Sequence, residues 1–293
     1  MQCKSKTILL TGSGGFVGQN LKEQLINQYT LYTPRSYELN LIDEDAVKKY
    51  FDENDIDFII HCGSTGGYRT QQDRDTTIED NLKMVENLLK YKKQTCNIIL
   101  FGSGAMYDKS RDLRKVNENE IGKFIPKDLY GKSKLLIAEK IKNRNDVLCL
   151  NIFGCYGKNE KNSRFPTYAI KQNIQHLPII INQNVVFDYL YIDDLCKIIE
   201  FFITNKFPKD NIINVTPSES ISLKEIAEIV NEISNFKSEI IIKNPVLNFE
   251  YTGDNSKLLS NMQDLKFTTY KVGLKLLYKS IFESHNLYDV SSL

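Results

Sequence analysis

Three side chains in the first half of this 293-residue sequence have the types and spacing to move a proton to a carbonyl oxygen. Tyr130 and Lys134 are four residues apart in YGKSK and would share one face of a helix. An ammonium group beside a phenol favours the phenolate, which makes a tyrosine a usable acid or base near neutral pH. This spacing alone arises by chance in a chain with 16 tyrosines. Ser103 in GSGAMY supplies a hydroxyl to bind the carbonyl oxygen, and we interpret Ser103, Tyr130 and Lys134 as a catalytic group.

A glycine-rich turn near the start of the chain is suited to bind a pyrophosphate. TGSGGFVG at residues 11–18 follows an apolar run and opens a helical pattern, the context in which such a fingerprint indicates a dinucleotide site. Gly12 and Gly15 allow the turn and a close approach of the phosphates, and Gly18 lets the helix pack on the strand. Phe16 and Val17, where the turn leads into the helix, are also predicted to contact the cofactor, because free N–H groups at a helix start favour negative charge.

The end of the second apolar run bears on the choice between NAD and NADP. NAD enzymes usually place an Asp or Glu there, on the ribose hydroxyls, but this sequence reads YTPRS at residues 32–36. Arg35 and Ser36 can bind a 2′-phosphate, so NADP(H) is the predicted cofactor. The alternative is that Arg35 is a solvated loop residue.

A parallel α/β sheet is predicted to position these residues. Apolar runs alternate with amphipathic patterns in the first half of the sequence, which is typical of such a sheet. The predicted strands are residues 7–10, 31–33, 58–61, 98–101 and 147–150, and the predicted helices are 17–28, 44–53 and 81–91. Beyond residue 157 the alternation loosens and a second lobe is expected to begin. It starts with a polar loop at 158–164 and a proline-terminated segment at 167–178. Strands at 185–191 and 239–242 and helices at 195–204 and 222–234 are predicted there.

Bulk composition excludes several classes of function. The net charge is +1, with 38 basic and 37 acidic residues, so neither nucleic acid nor an anionic membrane is expected as a partner. No apolar run is long enough to span a bilayer, and the first residues do not resemble a signal peptide, which predicts a cytoplasmic protein. No metal site is predicted. Reduced thiols are expected for the scattered cysteines Cys3, Cys62, Cys96, Cys149, Cys155 and Cys196.

Together these motifs resemble the extended short-chain dehydrogenase/reductases, and specifically the GDP-L-fucose synthase branch, which acts on GDP-4-keto-6-deoxy-hexoses. The resemblance covers nearly the whole chain, and the ELNL segment and the pair Gly66-Gly67 are its branch-specific parts. It is carried by TGSGGFVG, ELNLID (38–43), DFIIHCGSTGG (57–67), Asn81, GSGAMY, YGKSK, CYGK (155–158), FDYLYIDD (187–194) and GDNSK (253–257).

The resemblance implies an α/β fold with a Rossmann-type, doubly wound parallel sheet on residues 1–158 and about 185–213. A smaller C-terminal α/β lobe on residues 159–184 and 214–293 would bind the nucleotide sugar. NADPH, a GDP-sugar and a homodimer formed through a helix bundle are also implied. Tyr130 would protonate the C4 oxygen, Lys134 would anchor the nicotinamide ribose, and Ser103 would orient the carbonyl. Further cofactor contacts are expected at Asn40, Leu41, Gly63 and Asn81, and substrate contacts at Ser64, Gly67, Ala105, Tyr156, Arg164, Lys171 and Lys257.

The sequence departs from this branch at the residues that epimerise C3 and C5. Fucose synthases use a Cys two residues after the catalytic Ser and a His in the loop past the Tyr-Gly motif. Here Ala105 and Arg164 stand in those regions. Alanine has no ionisable group and arginine stays protonated, so neither can exchange a proton near neutral pH. We therefore predict a dedicated C4 reductase for a GDP-linked 4-keto-6-deoxy-hexose or 4-keto-heptose of capsular or other surface polysaccharides.

Alternatives stay open at this stage. If the protein did epimerise C3 or C5, Cys62 or Cys155 would have to replace the missing base. A Cys at an apolar strand end, however, is usually a buried thiol with a raised pKa. His61 is interpreted as a structural histidine, Asp194 as the cap of the following helix, and Lys171, like Arg164, as a diphosphate contact. The other functions considered are a bifunctional epimerase/reductase, an NAD-retaining C4 epimerase and a non-catalytic dinucleotide-binding regulator. A 4,6-dehydratase is disfavoured because residues 104–106, directly after Ser103, include no acid.

Overall fold

The computed structural model describes residues 6–67 and 71–290, of which 285–290 are described by their backbone alone. The strands are β1 (Thr7–Thr11), β2 (Thr30–Tyr32), β3 (Phe58–His61), β4 (Asn97–Ser103), β5 (Leu113–Val116), β6 (Val147–Ile152), β7 (Gly154–Tyr156), β8 (Ile179–Gln183), β9 (Val186–Phe187), β10 (Tyr189–Tyr191), β11 (Ile212–Val215), β12 (Ile221–Ser222), β13 (Ile240–Asn244) and β14 (Tyr251–Gly253). The helices are α1 (Phe16–Leu25), α2 (Glu44–Glu53), α3 (Thr77–Tyr91), α4 (Leu129–Ile141), α5 (Phe165–Ile174), α6 (Ile192–Thr204), α7 (Leu223–Ile233), α8 (Ser256–Asn261) and α9 (Tyr270–Val290).

A six-stranded sheet in the order β11-β6-β4-β3-β1-β2 forms the larger part of the molecule. Each neighbouring pair of its strands is parallel. Strand β1 has β2 on one side and β3 on the other. The strand order therefore reverses at β1, and a crevice opens beyond the carboxyl ends of β1 and β3. The sheet includes all five strands predicted for the first half of the sequence, and the parallel α/β prediction is confirmed.

Helices cover both faces of this sheet, as a doubly wound fold requires. On one face, Leu21 and Leu25 of α1 share a buried cluster with Ile199 of α6. On the other, Val47 of α2 and Leu88 of α3 belong to a second cluster that also includes residues of α4. The strands are apolar nearly throughout because each face is buried against helices.

A second group of elements lies mainly in the C-terminal part of the chain. It contains a four-stranded sheet in the order β12-β9-β14-β5 and a parallel pair, β13 with β8. Helix α7 begins with the expected cap: Ser222 accepts from the Glu225 amide, and the Glu225 side chain accepts from the Ser222 amide. Strand β5, which precedes α4, was not predicted, and it pairs with β14 far along the chain. The residue boundaries of the two lobes stay a prediction.

Two local predictions were wrong. The expected strand at 185–191 is broken at Asp188, whose buried carboxylate accepts from the amide of Gly253 at 2.8 Å and from the hydroxyl of Ser220 at 2.6 Å. Asp194 does not cap a helix, because α6 begins at Ile192 and Asp194 lies in its first turn. Its carboxylate instead accepts from the Thr268 amide at 2.6 Å and the Thr268 hydroxyl at 3.0 Å. In both cases residues distant in the sequence donate hydrogen bonds to the carboxylate.

The described residues include five of the six cysteines of the sequence. The five cysteines within them are free thiols, as expected, and Cys3 lies outside them. Across residues 6–67 and 71–290, no helix combines the length and apolar character needed to span a membrane.

Candidate active site

The three predicted catalytic residues meet in one cavity of about 520 Å³. Ser103 is the last residue of β4, and Tyr130 and Lys134 lie one turn apart on α4. Lys134 Nζ donates to the Phe101 carbonyl of β4 at 2.8 Å and lies 5.5 Å from the centre of the Tyr130 ring. The strand therefore holds the ammonium group beside the phenol.

Asp73 holds the start of α4 against the loop that follows β3. One of its carboxylate oxygens accepts from the Tyr130 amide at 2.9 Å, and the other accepts from the Gly67 amide at 2.8 Å. Gly67 has φ +72°, and a Cβ there would lie 3.0 Å from the Tyr130 ring. Sequence reasoning missed Asp73, because no local pattern marks a contact across 57 residues.

Asn81, predicted to contact the cofactor, makes hydrogen bonds to Thr65 in the loop that follows β3. Its side-chain oxygen accepts from the Thr65 amide at 2.8 Å, and its nitrogen donates to the Thr65 carbonyl at 3.0 Å. The same nitrogen donates to Ser133 Oγ on α4 at 3.0 Å. Asn81 is buried and lines neither of the two cavities at the crevice.

The glycine-rich turn forms the floor of a neighbouring cavity of about 700 Å³. Gly12 has φ +68°, and a Cβ there would lie 2.6 Å from the Gly63 amide nitrogen, so only glycine lets the ends of β1 and β3 approach. A Cβ at Gly18 would overlap the Gly12 carbonyl. The turn leads into the N-terminus of α1, which favours negative charge. The cavity is lined by Gly12, Gly15, Arg35, Ser36, Asn40, Leu41, Gly63 and Ser64, among others.

These residues fit a dinucleotide. The turn has no room for a side chain at Gly12 or Gly18. Gly63 and Ser64 also line the catalytic cavity, so a ligand can extend from one cavity into the other. Phe16 and Val17 lie at the catalytic end. The Arg35 guanidinium lies where a Cβ on Gly14 would be, which places its charge beside the phosphate-binding turn.

Positive charge dominates the part of the catalytic cavity's lining that the structure describes. Lys109, Lys134 and Arg164 contribute the positive charge, and no Asp or Glu is among the described residues that line it. Lys109 Nζ lies 3.4 Å from Asp128 Oδ2, and Arg164 is the N-cap residue of α5. Such a lining favours an anionic ligand.

The predicted substrate contacts divide into two groups. Ser64, Gly67, Ala105 and Arg164 line the catalytic cavity. Three others do not. Tyr156 is buried among aromatic rings, Lys171 lines a separate cavity with residues of α9, and Lys257 donates to the Ile212 carbonyl at 3.2 Å.

None of the alternative bases in or near the cavity is poised to exchange a proton. His61, as expected of a structural histidine, is buried with Nδ1 2.7 Å from the Thr11 hydroxyl, and burial lowers its pKa to about 3. Cys62 and Cys155 line the cavity, but burial raises the pKa of both thiols. Ala105 has no ionisable group. Among the described residues, no cluster of three or more His, Cys, Asp or Glu side chains could hold a metal ion.

Residues of the four-stranded sheet complete the cavity and were not predicted. Phe187 of β9 and Tyr251 of β14 line it, and Phe249 lies in the loop before β14. The Tyr251 hydroxyl would lie 2.6 Å from a Cβ on Gly104, which follows Ser103. Two motifs in the sequence lie beside these residues: FDYLYIDD begins at Phe187, and GDNSK begins two residues beyond Tyr251.

Known proteins resemble this chain in sequence and in fold. GDP-L-colitose synthase of Yersinia pseudotuberculosis is 25% identical over 80% of this chain and 84% of its own length. GDP-mannoheptose C4 reductase from Campylobacter jejuni, solved with NADP bound, has a TM-score of 0.81 at 20% identity, covering 96% of this chain and 100% of that one. A GDP-L-fucose synthetase from Naegleria fowleri has a TM-score of 0.80 at 15% identity, covering 98% and 95%. The profile of the NAD dependent epimerase/dehydratase family matches residues 8–216, which include the glycine turn and the Ser/Tyr/Lys group. The chain belongs to the NAD dependent epimerase/dehydratase family, which confirms its resemblance to the extended short-chain dehydrogenase/reductases.

Proposed function

We propose that this protein is an NADPH-dependent reductase of the C4 keto group of a GDP-linked 4-keto-6-deoxy-hexose or 4-keto-heptose, without 3,5-epimerase activity. The observation that carries the proposal is one cavity that combines Ser103, Tyr130 and Lys134 with a lining that, among the described residues, is cationic and contains no carboxylate. The names of the relatives, a GDP-L-colitose synthase and a GDP-mannoheptose C4 reductase, support the nucleotide sugar and the reduction. A role in surface polysaccharide biosynthesis, as a cytoplasmic homodimer, completes the proposal.

NADP(H) would be held by the turn at Gly12 and Gly15, the start of α1, and Arg35 with Ser36. When bound, it supplies the hydride that reduces the carbonyl carbon. Arg35 favours the 2′-phosphate because a guanidinium forms charge-assisted hydrogen bonds with phosphate oxygens. Asn40 and Leu41 line the same cavity and would contact the adenosine half.

The chain's own groups supply the proton and the orientation. Ser103 donates a hydrogen bond to the C4 carbonyl oxygen, and Tyr130 transfers its phenolic proton to that oxygen as the alcohol forms. Lys134 stands beside the Tyr130 ring, where its charge stabilises the phenolate left behind. Arg164 and Lys109 would bind the diphosphate of the substrate, because they are the other cations among the described residues that line the cavity.

The absence of epimerase activity follows from the groups that line the cavity. Epimerisation at C3 or C5 needs a side chain that removes a proton next to the carbonyl and returns it. Ala105 has no such group, Arg164 stays protonated, and burial keeps the thiols of Cys62 and Cys155 protonated near neutral pH.

Reduction in D2O tests both halves of the proposal. The purified protein is incubated with NADPH and GDP-4-keto-6-deoxy-mannose, or the corresponding heptose, while nicotinamide absorbance and NMR spectra are recorded. We expect NADPH to be consumed without deuterium entering C3 or C5, and Tyr130→Phe to consume it at least about 100-fold more slowly. Deuterium at either carbon would refute the lack of epimerase activity. A protein that retains NAD through purification and does not consume NADPH would instead be a C4 epimerase.

A further inference from the structure

A buried carboxylate lies where the chain crosses from the four-stranded sheet to the strand pair β7 and β10. Asp188 separates β9 from β10, and its side chain is fully buried. Its Oδ1 accepts from the Ser220 hydroxyl at 2.6 Å and from Lys115 Nζ at 3.3 Å. Its Oδ2 accepts from the Gly253 amide at 2.8 Å. Three segments that are far apart in the sequence are therefore joined at one side chain.

The segments that Asp188 joins form one side of the catalytic cavity. Phe187 directly precedes Asp188, and Tyr251 lies two residues before Gly253. Both line the cavity together with Phe153. The centre of the Tyr251 ring lies 5.1 Å from that of Phe153 and 5.6 Å from that of Phe187. These three rings are called the aromatic wall.

The aromatic wall packs directly against the backbone that follows the catalytic serine. A Cβ on Gly104 would lie 2.6 Å from both the Phe153 ring and the Tyr251 hydroxyl, so no side chain fits between the wall and this backbone. Asp188 is packed as closely against β7, because a Cβ on Gly154 would lie 2.9 Å from the Asp188 carbonyl oxygen. Interiors packed at this density transmit a displacement to their neighbours, so a shift of Asp188 also shifts the wall.

We infer that Asp188 is a positioning residue whose carboxylate holds the aromatic wall at the distance from the catalytic group that the sugar ring of the substrate requires. The inference rests on the proposed function, in which the cavity binds a nucleotide sugar. Aromatic rings offer a large apolar surface, so the wall would contact the C–H groups of the sugar while the polar groups opposite bind its oxygens. Asp188 does not itself line the cavity and acts through the wall.

Kinetics of the nucleotide-sugar reduction test this role. Asp188→Asn leaves one good acceptor for three donors and should release part of the wall. We expect KM for the nucleotide sugar to rise about tenfold and kcat to change less than about threefold, because the wall contacts the ground state and the transition state alike. The Kd for NADPH should stay unchanged, since Asp188 does not line the dinucleotide cavity. An unchanged KM, or an equal rise in the NADPH Kd, would overturn the inference.

Asp194→Asn is the matched control. Asp194 is as deeply buried as Asp188, and its carboxylate accepts from the Thr268 amide at 2.6 Å and the Thr268 hydroxyl at 3.0 Å. It lines neither of the two cavities at the crevice. Both substitutions should lower the free energy of unfolding, whereas only Asp188→Asn should raise KM. An equal rise in KM for both variants would mean that general destabilisation is the cause, and the inference would fail.

Ser220→Ala tests the contact while the carboxylate is retained. Ser220 is partly exposed, so the loss of its hydroxyl should leave the protein folded, with KM raised about threefold. In urea unfolding we expect Ser220→Ala and Asp188→Asn to be non-additive, with a coupling of about fivefold in the unfolding equilibrium constant. Additive effects would overturn the inference whatever the enzyme's activity. A wild-type protein that consumes no NADPH with either substrate would instead refute the proposed function.

Discussion

Arg35 should determine how strongly the protein prefers NADPH to NADH. Its guanidinium lies over Gly14 in the dinucleotide cavity. The loop itself is held separately, because the Arg35 amide donates to Glu38 Oε2 at 2.6 Å and the Arg35 carbonyl accepts from Leu39. Arg35→Gln therefore removes the charge without releasing the loop.

The magnitude follows from the exposure of the site. Hydrogen bonds to charged groups contribute about 1.5–3 kcal/mol, and solvent around the exposed Arg35 favours the lower end. A loss of about 1.5 kcal/mol corresponds to roughly a tenfold higher Kd for NADPH. The Kd for NADH, which lacks the 2′-phosphate, should change less than about twofold.

Fluorescence titration with NADPH and NADH at fixed ionic strength measures both constants, since salt screens an exposed charge. Lys22→Gln is a suitable control, because Lys22 is an exposed cation of α1 that does not line the cavity. Equal changes in the two dissociation constants, or none in either, would refute the assignment of Arg35 to the 2′-phosphate.

Three further substitutions test the architecture of the site. Gly18→Ala places a methyl group on the Gly12 carbonyl and should cost about 1–3 kcal/mol in the free energy of unfolding and weaken NADPH binding; an unchanged Tm would contradict this. Asp73→Asn leaves one good acceptor for two amides and should lower kcat about tenfold at an unchanged NADPH Kd, whereas a change confined to Kd would point to cofactor binding instead. His61 has a pKa of about 3 when folded and about 6.5 when unfolded, so only the unfolded state gains its proton between these values. Stability should fall by up to about 1.4 kcal/mol per pH unit below pH 6.5, and His61→Gln should flatten that slope in urea unfolding between pH 7.5 and 5.

The parts of the fold that were predicted correctly depend on local patterns. Strand β3 and helix α2 were placed at their observed bounds, because a short apolar run and an amphipathic period are complete within the segment itself. The Asp194 cap failed for the opposite reason. An Asp before an apolar run is a valid local cap signal, but Thr268, 74 residues away, binds the carboxylate instead.

The sequence alone predicted the residues to which the proposed chemistry is assigned. The glycine turn, Ser103 and the Tyr130/Lys134 spacing each lie within a few residues, so backbone geometry and helical periodicity dictate their arrangement. Only the tertiary structure decided which other groups surround them. Asp73 reaches Tyr130 across 57 residues, and Tyr251 lines the catalytic cavity because β14 pairs with β5. Such contacts depend on strand pairing and on the burial of distant segments, which no local pattern specifies.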